Sequence, residues 1–270
     1  MDLDLHIHSN VSDGELAPGA VVGAAAKANL DAIAITDHDT VLGIAEALEA
    51  ARKYPVEVIP AIEVSTTFEE VELHILGYFV DPSNPELLTH VEDAASRREL
   101  RLREMVARLL EQGVEISFET VSSGSPERGT LGRPHLARAI VDAGYVNTIA
   151  EAFDLYIGNA HPAYIPIGLL GSCEAIGMIK RAGGIPIWAH PPKRHLYKFL
   201  PALCASGLRG LEVYRPRTPR ARVLQLERTA REMGLLVSGG SDWHGPEQGR
   251  LGEFRVEASV VAKLLSEGGI

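Results

Sequence analysis

The sequence has few cysteines, no long apolar run and no excess of positive charge. Its two cysteines, Cys173 and Cys204, are far apart and lack the spacing of a metal site, which fits a reducing cytosol. No apolar run approaches the roughly 18 residues of a membrane span, and no basic region followed by an apolar stretch opens the chain. The net charge of −10 argues against broad, non-specific nucleic-acid binding. We therefore expect a cytoplasmic protein without a signal peptide or membrane association, and we infer no obligate protein partner.

Internal repeats and low-complexity tracts are also missing, whereas short apolar runs alternate with helical patterns along most of the chain. The candidate strands are DLHIH, AIAITDH, VEVIPAIEV, ELHILGY, IPIWAH, GLEVY and LVSGGSD. Helical patterns cover 17–30, 41–53, 173–182 and 218–233, and several close on glycine. This alternation predicts βαβ units with a parallel sheet, similar to the common eight-fold barrel but one strand short.

The region from about 85 to 165 interrupts this alternation, because it contains no convincing strand. A helical stripe of apolar residues precedes Gly113, and shorter helices are predicted over 134–143 and 148–157. We therefore predict an α/β chain in three parts: a first barrel segment over 1–85, a helical insertion over 86–165 and a second barrel segment over 166–270. The insertion is expected to cover one face of the barrel.

Histidines and carboxylates gather where the predicted strands end. His6 and His8 lie two apart on the first strand, so they point to the same side, and Asp13 can fold back from the following loop. Later strands add Asp37, His38, Asp39, Glu63, His74, His190, Asp242 and His244. Because parallel strands of a barrel end at one face, these side chains should converge there. This set is large enough to supply nine metal ligands.

Each of these motifs alone has an ordinary structural explanation, such as a strand-end cap or a buried ion pair. Together they do not, because buried strand ends rarely collect so many ionisable groups without compensation. Mixed imidazole and carboxylate ligands suit Mn²⁺, Fe²⁺ or Zn²⁺ better than Mg²⁺ or Ca²⁺. The number of ligands predicts two or three ions per chain, with Mn²⁺ preferred and Zn²⁺ or Fe²⁺ as alternatives.

The segments HIHSNVSDG, TDHD, IEVS, LHILGY, AHP and SDWHG resemble the motifs of the PHP (polymerase and histidinol phosphatase) domains of the amidohydrolase superfamily. The resemblance implies a distorted (β/α)7 barrel with a trinuclear metal centre. Its ligands then correspond to His6, His8, Asp13, His38, Glu63, His74, His190, Asp242 and His244. Glu63 is the expected bridging ligand.

The charge of such a centre favours an anionic substrate. Three divalent ions bring six positive charges, whereas Asp13, Glu63 and Asp242 supply three negative ones. We therefore expect a metal-activated hydroxide to attack phosphorus in line, because metals lower the pKa of bound water toward about 7. Asp37 or Asp39 is expected to orient this hydroxide, with Glu63 and His190 as further catalytic candidates. The sequence does not single out the acid that protonates the leaving alcohol.

Further phosphate contacts are predicted outside the ligand set. Arg133 and His135 lie at the start of a predicted helix, where a guanidinium and the helix N-terminus both favour phosphate. Their GRPH segment resembles one found in the nucleotide-acting branch of PHP proteins. Lys193 and Arg215 follow two of the strands and are additional candidates. The alternative for these residues is solvated surface or, for Arg133, an ion pair with a surface carboxylate.

The expected function is a phosphomonoesterase that removes the 3′-phosphate from nucleoside 3′,5′-bisphosphates, so the expected partner is a small phosphorylated nucleotide. The first alternative is a 5′-3′ exoribonuclease that acts on the 5′ end of short RNA with the same metals. A histidinol-phosphate phosphatase and a polymerase-associated PHP module are less favoured, because of the GRPH insertion and the lack of polymerase sequence respectively.

Overall fold

The structure is a computed structural model that describes residues 1–123 and 129–270 of the chain. The strands in these residues are β1 Asp2–Ile7, β2 Ala32–Ile35, β3 Glu57–Phe68, β4 Val71–Tyr78, β5 Leu170–Gly171, β6 Ile185–Trp188, β7 Gly210–Tyr214, β8 Leu236–Gly239 and β9 Val256–Glu257. The α-helices are α1 Pro18–Lys27, α2 Ile44–Ala51, α3 Pro85–Glu111, α4 Phe118–Ser122, α5 Arg133–Asp142, α6 Ile149–Ala152, α7 Ser172–Arg181, α8 Leu196–Ala205, α9 Arg220–Glu232 and α10 Ala262–Gly268. A π-helical turn, Phe153–Ile157, follows α6.

The strands form one sheet in the order β8-β7-β6-β4-β3-β2-β1-β9, with β5 paired to β3. All seven predicted strands are present in it, and the two-residue strands β5 and β9 are additions. The chain after β8 then meets β1, because Trp243 bridges Ile7 in parallel and the Asp242 N–H donates to the His6 carbonyl at 2.8 Å. These contacts nearly close the sheet into a barrel, which confirms the predicted α/β barrel class.

The prediction of an entirely parallel sheet is wrong at β4. This strand runs antiparallel to both of its neighbours, β3 and β6. The physical reason is the connection: only Glu69 and Glu70 separate β3 from β4, and both have positive φ, at 47° and 62°. A two-residue hairpin turn can join only antiparallel strands, whereas a parallel crossover needs a dozen residues or more.

In its described residues, the insertion between β4 and β5 consists of helices joined by turns and loops, without a strand. Its longest helix, α3, begins where Asn84 accepts hydrogen bonds from the N–H groups of Glu86 and Leu87. The insertion has a hydrophobic cluster of its own, which includes Leu102, Met105 and Leu136. The division at residues 85 and 165 stays a prediction.

The insertion covers the end of the barrel at which most strands finish. Thr130 donates its N–H to the Val11 carbonyl in the loop after β1, at 2.7 Å. The Arg98 Nε on α3 lies 3.0 Å from Asp39 in the loop after β2. Three helices, α4, α8 and α10, were not predicted. In the part of the chain that the structure describes, no helix is both long and apolar enough to cross a membrane.

Candidate metal centre

The end of β1 places two histidines side by side. The Nε2 atoms of His6 and His8 lie 3.2 Å apart, and both side chains are fully buried. Asp13 returns from the following turn, so that its Oδ1 lies 3.6 Å from His8 Nδ1. The structure thus brings together the three residues of the opening motif, as their spacing predicts.

The first group of ligand atoms forms around these histidines and comprises His6, His8, Glu63 and Asp242. Glu63 Oε2 lies 3.2 Å from the Nε2 atom of each histidine. Asp242 Oδ1 lies 3.4 Å from the same two atoms. Ligands about 2.1 Å from one ion at tetrahedral angles are about 3.4 Å apart, so these separations match a shared ion.

Two further groups of ligand atoms adjoin the first. Their members are His8, Asp13, His38 and His244 in one, and His38, Glu63 and His74 in the other. In each group the ligand atoms all lie within 4.8 Å of one another. The His190 Nε2 lies 3.0 Å from Glu63 Oε1, so the ninth predicted ligand is also at the centre.

Glu63 lies in the middle of the centre. Its Oε2 faces His6, His8 and His38, while its Oε1 lies 3.0 Å from both His74 and His190. Burial alone would raise its pKa, but the interactions with the surrounding histidines, of which His6 contributes most, outweigh burial and hold the pKa well below its usual range. An ionised carboxylate whose two oxygens face different histidines is suited to bridge two ions.

The donor set fits several metal ions. Within the described residues, the buried Nδ1 atoms of His8 and His38 have no hydrogen-bond partner. Buried polar atoms normally have a hydrogen-bond partner, so such nitrogen atoms in a cluster of imidazoles and carboxylates are suited to bind metal ions. Burial lowers the pKa of His38 to about 3, so this imidazole is neutral at pH 7, the form that binds metals.

Glu212 contacts two of the candidate ligands, and the sequence reasoning missed it. It is fully buried on β7, and its Oε1 accepts from His6 Nδ1 at 2.8 Å while its Oε2 accepts from the His190 N–H at 2.7 Å. A carboxylate that holds one ring nitrogen of a histidine leaves the other free for a metal. The signal was available, since this glutamate stands between Leu211 and Val213 in an otherwise apolar strand.

Asp37 and Asp39 are near the centre but belong to none of the three ligand groups. The Asp37 carboxylate accepts hydrogen bonds from Ser9 N–H and from the Ser9 and Ser12 hydroxyls, at 2.5 to 2.7 Å. It therefore ties the loop after β1 to the end of β2. Burial raises the pKa of Asp37, although these hydrogen bonds act in the opposite direction. This carboxylate belongs to none of the three ligand groups, and its water-orienting role stays a prediction.

The Asp39 carboxylate is bound by residues of the insertion. Its carboxylate binds Arg98 and His90, both on α3, and accepts from the Ser65 N–H on β3 at 2.9 Å. Burial alone would raise its pKa, but Arg98 and then His90 hold the pKa well below its usual range. The sequence reasoning missed both α3 residues, because it placed this helix only as a cover.

Three residues at or beside the centre have a strained backbone. Asp39, His190 and Asp242 have positive φ values of 54°, 30° and 56°, in the region that non-glycine residues rarely adopt. Such conformations persist where the surrounding structure holds them, and they are common at functional sites. All three lie in the loops that follow β2, β6 and β8, at the end of the barrel that carries the ligands.

The predicted substrate contacts are only partly near the centre. His135 lies in the insertion next to the loop of Asp13, and burial lowers its pKa. Arg215 lies at the edge of the centre, where it donates to Asp242 Oδ2 at 2.7 Å and lies 3.4 Å from Glu212. Lys193 is exposed, and no hydrogen bond ties it to the described part of the centre.

Arg133 belongs to a group of arginines beside the third ligand group. Arg133 and Arg101 both lie over the Tyr164 ring, at 5.4 and 5.5 Å from its centroid. Burial and then repulsion from Arg133 lower the pKa of Arg101 to about 10, so it remains charged at pH 7. The carboxylate of Glu72 interacts electrostatically with both Arg133 and Arg101. Glu72 in turn lies 3.5 Å from His74, a member of the third ligand group. Sequence reasoning missed Arg101, which lies on α3.

Comparisons with known proteins agree with this geometry. The family profile of the PHP domain matches residues 4–161. A 3′,5′-nucleoside bisphosphate phosphatase from Chromobacterium violaceum is 31% identical over 253 residues, which cover 92% of this chain and 89% of that protein. A 5′-3′ exoribonuclease from Haemophilus influenzae is 32% identical, covering 90% of each chain.

A solved structure from Bifidobacterium adolescentis, named as a metal-dependent phosphoesterase, superposes with a TM-score of 0.91. It is 35% identical, and the match covers 99% of this chain and 96% of that one. The profile spans more than half of the chain, and the relatives match over nearly all of it. The chain therefore belongs to the PHP domain family and is a metal-dependent phosphoesterase.

Proposed function

We propose that the protein removes the 3′-phosphate from nucleoside 3′,5′-bisphosphates, for example converting adenosine 3′,5′-bisphosphate to AMP and phosphate. The observation that carries this proposal is the pairing of two cationic features: the metal-ligand groups and, beside them, the arginine group of Arg101 and Arg133. A substrate with two phosphates can engage both features, whereas a monophosphate can engage only one.

The ligand groups bind the phosphate that is hydrolysed. Divalent ions, when bound, supply a hydroxide nucleophile at neutral pH and offset the charge of the phosphate. Glu63 joins the groups, Glu212 fixes the ring of His6 with Nε2 facing inward, and His190 is fixed through its backbone. We propose that Glu63 and His190 act at the reacting phosphate through the ions they hold, and that Mn²⁺ is the resident ion, in two or three copies.

The arginine group binds the phosphate that is kept. Neither Arg101 nor Arg133 forms an ion pair within residues 1–123 and 129–270: Arg101 donates to the Ile165 carbonyl and Arg133 to the Asn159 side chain, each at 2.7 Å. These two half-buried guanidiniums repel one another, and Glu72 is nearby but forms no ion pair with either in the described chain, so an anion that contacts both arginines is favourable. Tyr164, which both cations contact, then marks the floor of this subsite.

Asp37 and Asp39 are proposed to position loops. Each carboxylate is saturated by hydrogen bonds from Ser9 and Ser12, or from Ser65 and α3, which fixes the backbone on either side of His38. This role is proposed alongside the water-orienting one expected from the sequence. Lys193, Arg215 and His135 are proposed at most as outer contacts of the substrate.

A second candidate is 5′-3′ exoribonuclease activity on short RNA, because the relative from Haemophilus influenzae carries that name. Both reactions break the bond between phosphorus and O3′ of a nucleotide that bears a 5′-phosphate. They differ only in whether the phosphorus carries a further nucleotide. A cytoplasmic location is proposed as well, supported by the free thiols of Cys173 and Cys204.

Phosphate release by the Mn²⁺-loaded protein tests the proposal. The substrates are adenosine 3′,5′-bisphosphate, 3′-AMP, 5′-AMP and histidinol phosphate at equal concentration. We expect strong turnover of the bisphosphate with 5′-AMP as the product, weaker turnover of 3′-AMP, and almost none of the other two. Preferred turnover of histidinol phosphate, or equal turnover of 3′-AMP and the bisphosphate, would contradict it.

A further inference from the structure

A cavity opens beside the metal centre, on the side away from the arginine group. It has a volume of about 630 Å³ and lies between the loop after β7 and the segment after β8. Asp242, a candidate metal ligand, forms part of its wall, together with Arg217, Arg250 and Phe254. Ligand sites in proteins commonly have volumes of about 300–1,000 Å³, so one nucleotide fits.

The cavity and the arginine group lie on opposite sides of the barrel. Glu72 and His74, beside the arginine group, are on β4, whereas Asp242 follows β8. In the sheet order, β6 and β7 separate these strands on one side, and β3, β2 and β1 on the other. A substrate that binds the arginine group at one end and the ligand groups in the middle would therefore extend toward the cavity.

The side chains of the cavity are complementary to a nucleotide. Arg217 and Arg250 are exposed and form no ion pair or side-chain hydrogen bond in the described chain, so both guanidiniums can bind phosphate. Glu247 and Glu253 also line the cavity and can accept hydrogen bonds from ribose hydroxyls. Phe254 is half-buried and supplies an aromatic ring on which a base can stack.

The other wall residues are held in place. Arg215 is bound to Asp242, and Trp243 Nε1 donates to the Gly249 carbonyl at 3.0 Å. The cavity therefore has a fixed inner wall next to the ligand groups and two uncommitted arginines further out. This arrangement suits a substrate strand that extends outward from the metal centre.

We propose that, when the substrate is 5′-phosphorylated RNA as in the second candidate function, this cavity binds the nucleotide attached to the scissile phosphorus. The proposal rests on the proposed function, because it uses the same metal centre and arginine group. Water oxygen bonds to phosphorus, the bond from phosphorus to O3′ of the first nucleotide breaks, and this O3′ takes up a proton. The next nucleotide retains the phosphate as its new 5′-phosphate.

The test compares the R217A/R250A double variant with wild type on two substrates, adenosine 3′,5′-bisphosphate and a 5′-phosphorylated triadenylate. R220A is the matched control, since Arg220 is an exposed arginine at the start of α9 that does not line the cavity. We expect KM for the RNA to rise about tenfold or more in the double variant. Its kinetics on the bisphosphate, which has no second nucleotide, should stay within about twofold, as should those of R220A on both.

Unchanged KM for the RNA in the double variant, or an equal loss on both substrates, would overturn the cavity proposal. Wild type that hydrolyses the bisphosphate but not the RNA would also overturn it, while the phosphatase function stands. Wild type that hydrolyses only the RNA would contradict the phosphatase function, and the cavity proposal would then be judged on the RNA kinetics alone.

Discussion

At the scale of single residues, the orientation of the histidine rings decides whether ligand atoms meet. Glu212 determines this for His6, because it accepts the Nδ1 proton and so leaves Nε2 toward Glu63, His8 and Asp242. The same carboxylate holds the backbone of His190. One buried residue on β7 thus positions ligands that arrive from β1 and β6.

We predict that Glu212→Gln weakens Mn²⁺ binding by about 10–100-fold, because an amide holds the imidazole less strongly and lowers the basicity of its free nitrogen. The measurement is competition with a chelating dye, which does not depend on catalysis. Glu227→Gln is the matched control, since Glu227 accepts a hydrogen bond from the Tyr214 hydroxyl outside the centre. An affinity equal to wild type would show that Glu212 has no positioning role.

The sequence indicated which side chains gather at the centre, but not how their neighbours support them. The nine ligand candidates could be found because histidines and carboxylates recur together at or after most strand ends, and because Glu63 and His74 lie within two further strands. Glu212 is a single glutamate in an apolar strand and Arg98 lies on a helix, so the roles of both depend on partners that are distant in the chain. The hydrogen bonds of Asp37 to Ser9 and of Asp39 to Arg98 cannot be seen in the sequence, which predicts a water-orienting role for one of these two carboxylates.

At the scale of secondary structure, the direction of β4 was the largest departure from expectation. A short apolar run with alternating polar residues is compatible with either strand direction, and only the two-residue link decides between them. His74 therefore reaches the centre from within an antiparallel strand, opposite Ser65, and not from the end of a parallel one. The barrel class was predictable from the alternation of elements, whereas this reversal was not.

Helix α3 is joined to the barrel by the buried ion pair of Arg98 and Asp39. Breaking one half of such a pair leaves an uncompensated buried charge, which costs about 3–5 kcal/mol. We therefore predict that Arg98→Met lowers the free energy of unfolding in urea by about 3 kcal/mol or more. Arg97→Met is the control, because Arg97 forms no ion pair within the described residues, and its change should stay below about 0.5 kcal/mol. Equal stability of the two variants would contradict this role.

The closure of the sheet between β8 and β1 depends on Gly240. A side-chain carbon at this position would contact the backbone nitrogen and Cβ of His6 closer than atoms allow. We predict that Gly240→Ala displaces the end of β1, lowers stability by about 1–3 kcal/mol and weakens Mn²⁺ binding. Thermal unfolding with and without Mn²⁺ measures both effects. Gly168→Ala is a control in open space, and a Gly240 variant that behaves like it would contradict the close approach.

At the scale of the whole molecule, the metal centre joins parts of the chain that are far apart in sequence. Its ligands come from the loops and strands of both barrel segments, so ions bound there stabilise the folded state over the unfolded one. We predict that saturating Mn²⁺ raises the Tm of the chelated protein by about 5 °C or more. The increase should be smaller in Asp13→Ala, which removes one ligand candidate. No increase in wild type would contradict a multinuclear centre.

The most direct test of the central claim, that metals bind one phosphate and the arginine group binds the other, is the effect of Arg133→Ala on two substrates. We predict that the variant lowers kcat/KM for adenosine 3′,5′-bisphosphate by about tenfold or more, through KM, because a charge-assisted contact to the 5′-phosphate is lost. Its kcat/KM for 3′-AMP, which has no 5′-phosphate, should remain within about twofold of wild type. An equal loss on both substrates, or no loss on either, would contradict the assignment of the second phosphate to Arg133.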